Sequence, residues 1–457
     1  MAYGPDPRIL TLGPDFYDPV APARFPDCTL RFVNDRWAER VGLQLDAPRW
    51  AAHFCRFEPL ADNLNEPLAL RYHGHQFRVY NPDIGDGRGF TFAQLRDKGG
   101  RLLDLGTKGS GQTPYSRHAD GRLTLKGGVR EVLATEMLEA LGVNTSKSFA
   151  LFETGEALER GDEPSPTRSA VLTRLSHGHI RIGTFQRLAF FGQVENLKRL
   201  VRYCLENLFS QEPAGDAADQ ALRLLELAAG ATARLAASYL TVGFVHGVLN
   251  SDNINITGES FDYGPWRFTP RWEPDFTAAY FDHYGLYAFG RQPEAIHWDL
   301  AQLAGCLALI AEGRALSSVI AGWSERFDAA LVDTMLLRLG IAGGDHARAI
   351  AAALVEALAT REHAIDRIFF NWRGGLDPGV DAYPSEPFRK LAALLRGHER
   401  TPTHPYWSDT QPCSMHIEEV EAIWSAIAER DDWRPFNDKV TAVRRMGEAI
   451  ARDAPTT

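Results

Sequence analysis

Apolar and polar positions change rhythm three times along the 457-residue chain. Up to about Asn81, Pro-rich stretches alternate with short amphipathic segments such as Arg36–Leu43. From about Phe77 to Phe185 the apolar residues fall in short runs punctuated by glycine and charge, which is the signature of strands. Phe77–Asn81 and Phe90–Leu95 are expected to be strands flanking a glycine turn as a hairpin, with Leu102–Lys108, Val171–Arg174 and Ile180–Phe185 as further strands. One helix is embedded there. Val129, Val132, Leu133, Met137, Leu138 and Leu141 recur at helical spacing and Gly142 stops the run, predicting a helix over Val129–Leu141. After about Gln193 the helical period dominates, at Gln220–Leu240, Trp298–Ala311 and Ala347–Leu358, and only Gly243–Phe268 interrupts it with dense polar and glycine punctuation. The pattern predicts an α+β fold divided into an N-terminal extension (1–76), a β-rich lobe with one key helix (77–192) and a mostly helical lobe (193–457).

Composition narrows the function classes. A hydrophobic fraction of 44% and a charged fraction of 24% are those of a globular chain with a sizeable core. The formal charge of −10 argues against broad binding of nucleic acid or of anionic membrane, both of which need an excess of Lys and Arg. Cys28, Cys55, Cys204, Cys306 and Cys413 are scattered and never form a CxxC pair, so neither a zinc site nor a disulfide framework is expected. Met1–Leu10 lacks a basic stretch followed by an apolar one, and the apolar run near Ala301–Ala311 is too short to cross a bilayer. These features predict a cytoplasmic protein, expected to be a monomer.

Several constellations carry candidate chemistry. Gly85-Asp86-Gly87-Arg88-Gly89 brings backbone N–H groups where they can approach phosphates, although the same string also reads as a plain turn. On Leu102–Lys108, Leu103 and Leu105 point one way and Asp104, Gly106 and Lys108 the other. Lys108 can then reach phosphate oxygens, held by Glu131 in the first turn of the following helix; an exposed lysine and an ordinary helix glutamate are the plain alternative. The run His246-Gly247-Val248-Leu249-Asn250-Ser251-Asp252-Asn253, followed by Asp262-Tyr263-Gly264, keeps the spacing of a kinase catalytic loop and metal-binding triplet. Valine stands at the kinase base position, Val248, and cannot accept a proton; Asp252 is the nearest carboxylate able to do so. Asn253 and Asp262 offer the hard oxygens that Mg²⁺ prefers beside phosphates, while an Asx-rich turn is the other way to read this segment. Arg174 and Arg181, in two β segments joined by Ser176–His179, offer guanidinium forks for a terminal phosphate. Asp299, at the head of the Trp298 helix, is expected to cap that helix or brace the loop.

Taken in order, these strings resemble the selenoprotein O (SelO/YdiU) family. Its matching motifs here are Tyr72-His73-Gly74-His75-Gln76-Phe77, Gly85–Gly89, Lys108–Arg117, Arg130-Glu131, Val171–Arg174, His179–Phe185, His246–Asn253 and Asp262–Pro265, spanning roughly Phe16 to Ile310. The resemblance implies a protein-kinase-like two-lobed fold with N- and C-terminal extensions. It also implies a protein nucleotidyltransferase that moves AMP from ATP to Ser, Thr or Tyr hydroxyls, with ATP held in an orientation reversed relative to kinases. Gly85, Gly87, Arg88, Lys108, Asp120, Gly121, Arg174 and Arg181 would bind the nucleotide, with Glu131 supporting Lys108. Asn253 and Asp262 would hold Mg²⁺ or Mn²⁺, Asp252 would be the general base, and UMP transfer with Mn²⁺ is a further activity of some members. Two departures stand out. From about Leu316 the chain resembles the family less, and nothing after Cys413 supplies the C-terminal redox cysteine or selenocysteine that members often carry. Lys126-Gly127-Gly128 replaces a more usual Arg-Ser-Ser-like stretch. A γ-phosphoryl-transferring kinase and a non-catalytic ATP-binding scaffold are the competing readings.

Overall fold

The computed structural model describes residues 3–161 and 163–455, so the last two residues of the C-terminal tail lie outside it. Its centre is an antiparallel sheet. The strands, in chain order, are β1 (Tyr17–Pro19), β2 (Thr29–Val33), β3 (Leu68–Leu70), β4 (Gly74–Gln76), β5 (Val79–Asn81), β6 (Thr91–Arg96), β7 (Leu102–Lys108), β8 (Leu123–Thr124), β9 (Lys147–Leu158) and β10 (Thr167–Ser176). Spatial order in the main sheet is β1-β3-β6-β7-β10-β9-β2, with β8 on β10. The first 76 residues therefore supply both edges of the sheet, β1 and β3 at one side and β2 at the other.

The expected hairpin across the glycine turn is not formed. Phe77 and Arg78 adopt positive φ (50° and 63°) and make a tight turn, so β5 folds back on β4 as a separate ribbon. β6 pairs with β3 and β7 instead. The glycine string is thus a loop between two sheets, which alternation within each run cannot reveal.

Helices α1 (Asp35–Val41) and α2 (Ala47–Phe54) cover one face of the sheet, where Trp37, Trp50 and Phe54 meet Phe92, Leu103, Leu105 and Phe149. Cys28 and Cys55 form a disulfide at this edge, correcting the expectation that the cysteines stay unpaired. Their 27-residue separation hid a pairing that β2 and α2 create in space. On the other face lies α3 (Leu125–Ala140), whose N-cap Thr124 accepts the Gly127 N–H at 3.1 Å. It begins four residues earlier than its apolar pattern suggests, so Glu131 sits in its second turn rather than its first.

The remainder is helical: α4 (Ile182–Phe190), α5 (Val194–Tyr203), α6 (Ala217–Val242), α7 (Gln292–Leu307), α8 (Gly313–Ala321), α9 (Trp323–Leu339), α10 (Ala347–Ala359), α11 (Ile365–Asn371), α12 (Glu386–Leu395), α13 (Ile417–Arg430) and α14 (Arg434–Arg452). A small ribbon, β11 (Phe244–Val245) with β12 (Arg267–Phe268), brackets the polar segment between them. The Ile180–Phe185 strand is replaced by the start of α4. Arg181 is its N-cap, and Phe185 and Leu188 continue the helical spacing begun at Ile182. Burial of every residue from His179 to Gln186 removes the polar positions that would have announced the helical period. Likewise α7 starts at Gln292, which puts Asp299 inside the helix and not at its head. The final helices return to the sheet side: Arg444 on α14 holds the buried Glu136 of α3 through two hydrogen bonds of 2.8 and 3.0 Å, and Phe32 of β2 meets Phe436. No helix among the described residues is long and apolar enough to cross a membrane.

Candidate active site

A cavity of about 420 Å³ opens between the β5–β6 loop, the end of β7, β10 and the segment 248–264. Gly85, Gly87, Arg88, Lys108, Arg174 and Arg181 line it, as do Asp252, Asn253 and Asp262. Asp120 and Gly121 do not. Asp120 pairs with Arg160 at 2.9 Å and accepts the Arg122 N–H, at the far end of the loop that begins at Gly109.

The glycine loop owes its shape to contacts that leave no room for side chains. A Cβ on Gly85 would lie 2.5 Å from the ring of Tyr115, and one on Gly89 would enter the Thr107 carbonyl oxygen. The loop backbone is thereby laid on β7, beside Lys108. Lys108 donates to Glu131 Oε2 at 2.6 Å, both side chains being buried. Burial lowers the lysine pKa while Glu131 works against the shift.

Arg174 leaves β10 and Arg181 caps α4, so the two guanidinium groups come from different elements and not from one hairpin. They nevertheless converge: each pairs with a different oxygen of Asp262. Arg181 also lies 4.4 Å from the ring of Tyr72 and 4.7 Å from that of Phe261, and donates to the Asp252 carbonyl at 2.8 Å. Burial pushes the Asp262 carboxyl upward, but Arg174, Arg181 and Lys108 outweigh it and hold it well below the carboxylate range. Asp262 takes φ +54°, a conformation that carboxylate and amide residues tolerate best and that concentrates at functional sites.

The catalytic-loop segment is pinned from within. His246 lies buried with Nε2 at 3.0 Å from the Phe261 carbonyl. Val248 faces the cavity, and Asn253 donates its amide N–H to the Val248 carbonyl at 3.0 Å, turning its amide oxygen to other uses. Asp252 is buried, with Oδ1 unpartnered among the described residues. Burial raises its carboxyl to about 6, against the pull of Arg181. Asp299 lies in the same quarter: Oδ2 is buried without a partner, and burial followed by the charge of Asp252 raises its carboxyl well above the usual range.

Tyr72, Gln76, Asp86 and Tyr115 line the cavity without a role assigned from the sequence. Gln76 lies beside the Asp252 carboxyl and pulls its pKa down, and Asp86 stands 3.4 Å from Arg181. The Tyr72–Phe77 string carries Tyr72 and Gln76 as a pattern, but their neighbours Arg181 and Asp252 lie more than a hundred residues away.

No cluster of three or more His, Cys, Asp or Glu side chains suited to a metal gathers among the described residues. The carboxylate of Asp262 and the amide oxygen of Asn253 make a two-oxygen donor set, which fits a hard divalent ion that draws its other ligands from phosphates and water.

The family model described as protein adenylyltransferase SelO matches residues 2–382. This chain belongs to the SelO family. Two relatives named protein nucleotidyltransferase YdiU show how closely. The one from Gloeobacter violaceus is 42% identical over 96% of this chain and 95% of its own length. The one from Synechocystis sp. is 39% identical over 95% of this chain and 96% of its own length. A third of that name, from Rhodopseudomonas palustris, is 32% identical over 98% of the chain. The SelO match runs past Leu316 and ends at residue 382, while these relatives align across nearly the whole length.

Proposed function

We propose that this SelO-family protein transfers AMP from ATP to Ser, Thr or Tyr hydroxyls of other proteins. The observation that carries the proposal is the exchange of carboxylate position. Val248 puts methyl groups where a kinase has its base, while Asp252, four residues on, lines the same cavity and keeps its Oδ1 buried without a hydrogen-bond partner among the described residues. ATP in reversed orientation sets its terminal phosphates against Arg174 and Arg181, with Lys108, braced by Glu131, and the backbone of Gly85, Gly87 and Arg88 completing the cradle. Asp120 and Gly121 fix the end of the overlying loop. Asn253 and Asp262 would hold Mg²⁺, or Mn²⁺ for UMP transfer, which would supply screening of phosphate charge. Asp252 takes the proton of the acceptor hydroxyl. The acceptor oxygen bonds to the α-phosphorus, the α–β bridge bond breaks, and pyrophosphate carries away the negative charge.

The same proposal assigns the β-rich part (77–192) and the helical part (193–457) to the two lobes of a kinase-like fold, with 1–76 as an extension built into the first. We place the protein in the cytoplasm as a monomer, with no nucleic-acid or membrane partner; the Cys28–Cys55 disulfide, a bond favoured by oxidising compartments, stands against that placement. Incubation with α-³²P-ATP and γ-³²P-ATP tests the reaction. Protein label from the α position alone supports it. Label from the γ position alone makes the protein a kinase using Asp252, and ATP binding without any label makes it a scaffold, a reading that Val248 favours.

A further inference from the structure

Beside the cavity the surface turns aromatic. Tyr284 is 93% exposed, Tyr280 82% and Val79 71%, in a molecule whose other large apolar side chains are mostly buried. Tyr280 touches Phe281 (5.1 Å between rings), Phe281 touches Phe77 (5.9 Å), and Phe77 touches Tyr287 (5.0 Å). Two separate pieces of chain form this surface: the β4–β5 turn and the loop that precedes α7.

They are locked together and onto the catalytic loop. Glu294 accepts from Arg78 of the turn at 2.9 Å and from Arg291 at 3.2 Å, and Arg291 also donates to the carbonyls of Tyr284 and Gly285. The Phe77 N–H (3.1 Å) and the Tyr287 hydroxyl (2.7 Å) donate to the same atom, Oδ1 of Asn250. His75 N–H donates to Ser251 Oγ at 2.7 Å. Phe77 and Tyr287, which anchor the two pieces of chain beneath the exposed rings, are thus held two residues from Asp252. A monomer gains nothing from placing rings in water on a rigid frame; a continuous patch of this kind marks a contact surface. Its outward strand, β5, pairs only with β4 among the described residues, an edge of the kind to which an extended chain can add.

We propose that this surface receives the acceptor polypeptide, binding an extended segment whose apolar side chains flank the hydroxyl residue delivered to Asp252. The proposal rests on the nucleotidyl-transfer reading for its chemistry, but on the frame around Asn250 for its location. Val79, Tyr280 and Phe281 supply the apolar floor, and the β5 edge supplies backbone hydrogen bonds. Recognition therefore depends on neighbouring apolar residues and little on charge.

Two synthetic peptides test it, one with a single Ser between Leu and Phe, the other with the Ser between Gly and Glu. Fluorescence anisotropy of the labelled peptides, with a non-hydrolysable ATP analogue present, reads docking apart from chemistry. Transfer from α-³²P-ATP reads turnover. The wild type is expected to prefer the apolar peptide by about tenfold in both Kd and KM. The triple variant Val79→Ser, Tyr280→Ser, Tyr284→Ser is expected to erase that preference while ATP affinity and melting temperature hold. Unchanged peptide affinity in the variant overturns the docking surface. So does wild-type self-association that the variant abolishes with peptide affinity intact, which makes the patch a contact between copies. Peptide docking with no α-label transfer leaves the surface standing and refutes the chemistry instead.

Discussion

The two walls of the cavity are built by opposite means. On the β5–β6 side, Gly85 and Gly89 let backbone lie directly on Tyr115 and on β7, and the wall is defined by side chains that are missing. On the 248–264 side it is defined by charge: Asp262 between Arg174 and Arg181, and Asp252 with one buried, unpartnered oxygen. The first wall shapes a groove for any phosphate chain. The second balances its own charges, and under the proposed function a nucleotide with its metal ion would take over contacts that Asp262 and the arginines make to each other. Steric placement is rigid, whereas ionic placement can be exchanged, and a transferase needs both.

Removing Asp262 should break the charged wall most completely. Asp262→Ala is expected to abolish metal-dependent ATP binding, read by calorimetry with and without Mg²⁺. It also removes the carboxylate that both buried guanidinium groups share, leaving Arg181 only Asp86 at 3.4 Å and Arg174 only Glu131 at 3.7 Å as ion-pair partners among the described residues, a loss of about 3–5 kcal/mol in urea unfolding. Full activity in this variant would refute the metal assignment. Because the folded-state pKa of Asp262 is depressed, its contribution to stability is complete above the ordinary carboxylate pKa and lost as pH falls toward the folded value.

Asp252→Asn should separate binding from chemistry. Turnover is expected to drop about 10²–10⁴-fold with ATP affinity kept within a few-fold. In the wild type, Asp252 must be ionised to act, so the rate should rise with pH through about 6, or lower where the bound cation draws the carboxyl down. An acid limb that persists unchanged in Asp252→Asn, measured on its residual rate, would assign it to another group.

The steric wall should respond differently. Gly89→Ala drives a methyl into the Thr107 carbonyl and is expected to cost about 1–3 kcal/mol while weakening ATP binding with or without metal. Equal affinity in wild type and variant would show that the loop can retreat without harm. The smallest effect on activity is expected from Cys28→Ser, on the far face of the sheet. Opening the 27-residue loop costs up to about 3 kcal/mol in stability, with kcat unchanged. A change in kcat would show that the disulfide edge communicates with the cavity.

Spacing alone exposed the catalytic-loop string, because Val248, Asp252, Asn253 and Asp262 lie within fifteen residues and the distances between them are local. Lys108 was legible for the same kind of reason: strand alternation assigns its face, and Leu103 and Leu105 do enter the opposite core. Glu131 needed the cap at Thr124 to settle its turn, and Arg181 needed α4, which uniform burial had concealed. Gln76 and Asp86 acquire meaning only beside Asp252 and Arg181.

The sequence by itself determined most of the alternation of strands and helices and the family, and it nominated the residues proposed to carry the chemistry, since these follow from periodicities and short-range patterns. Tertiary structure decided the rest: that β4 and β5 form their own ribbon, that arginines from a strand and a helix cap meet on one carboxylate, that Cys28 reaches Cys55, and that α14 returns to brace α3. Each is a contact between distant parts of the chain. Such contacts are selected by the burial of whole surfaces, a quantity that no local pattern contains.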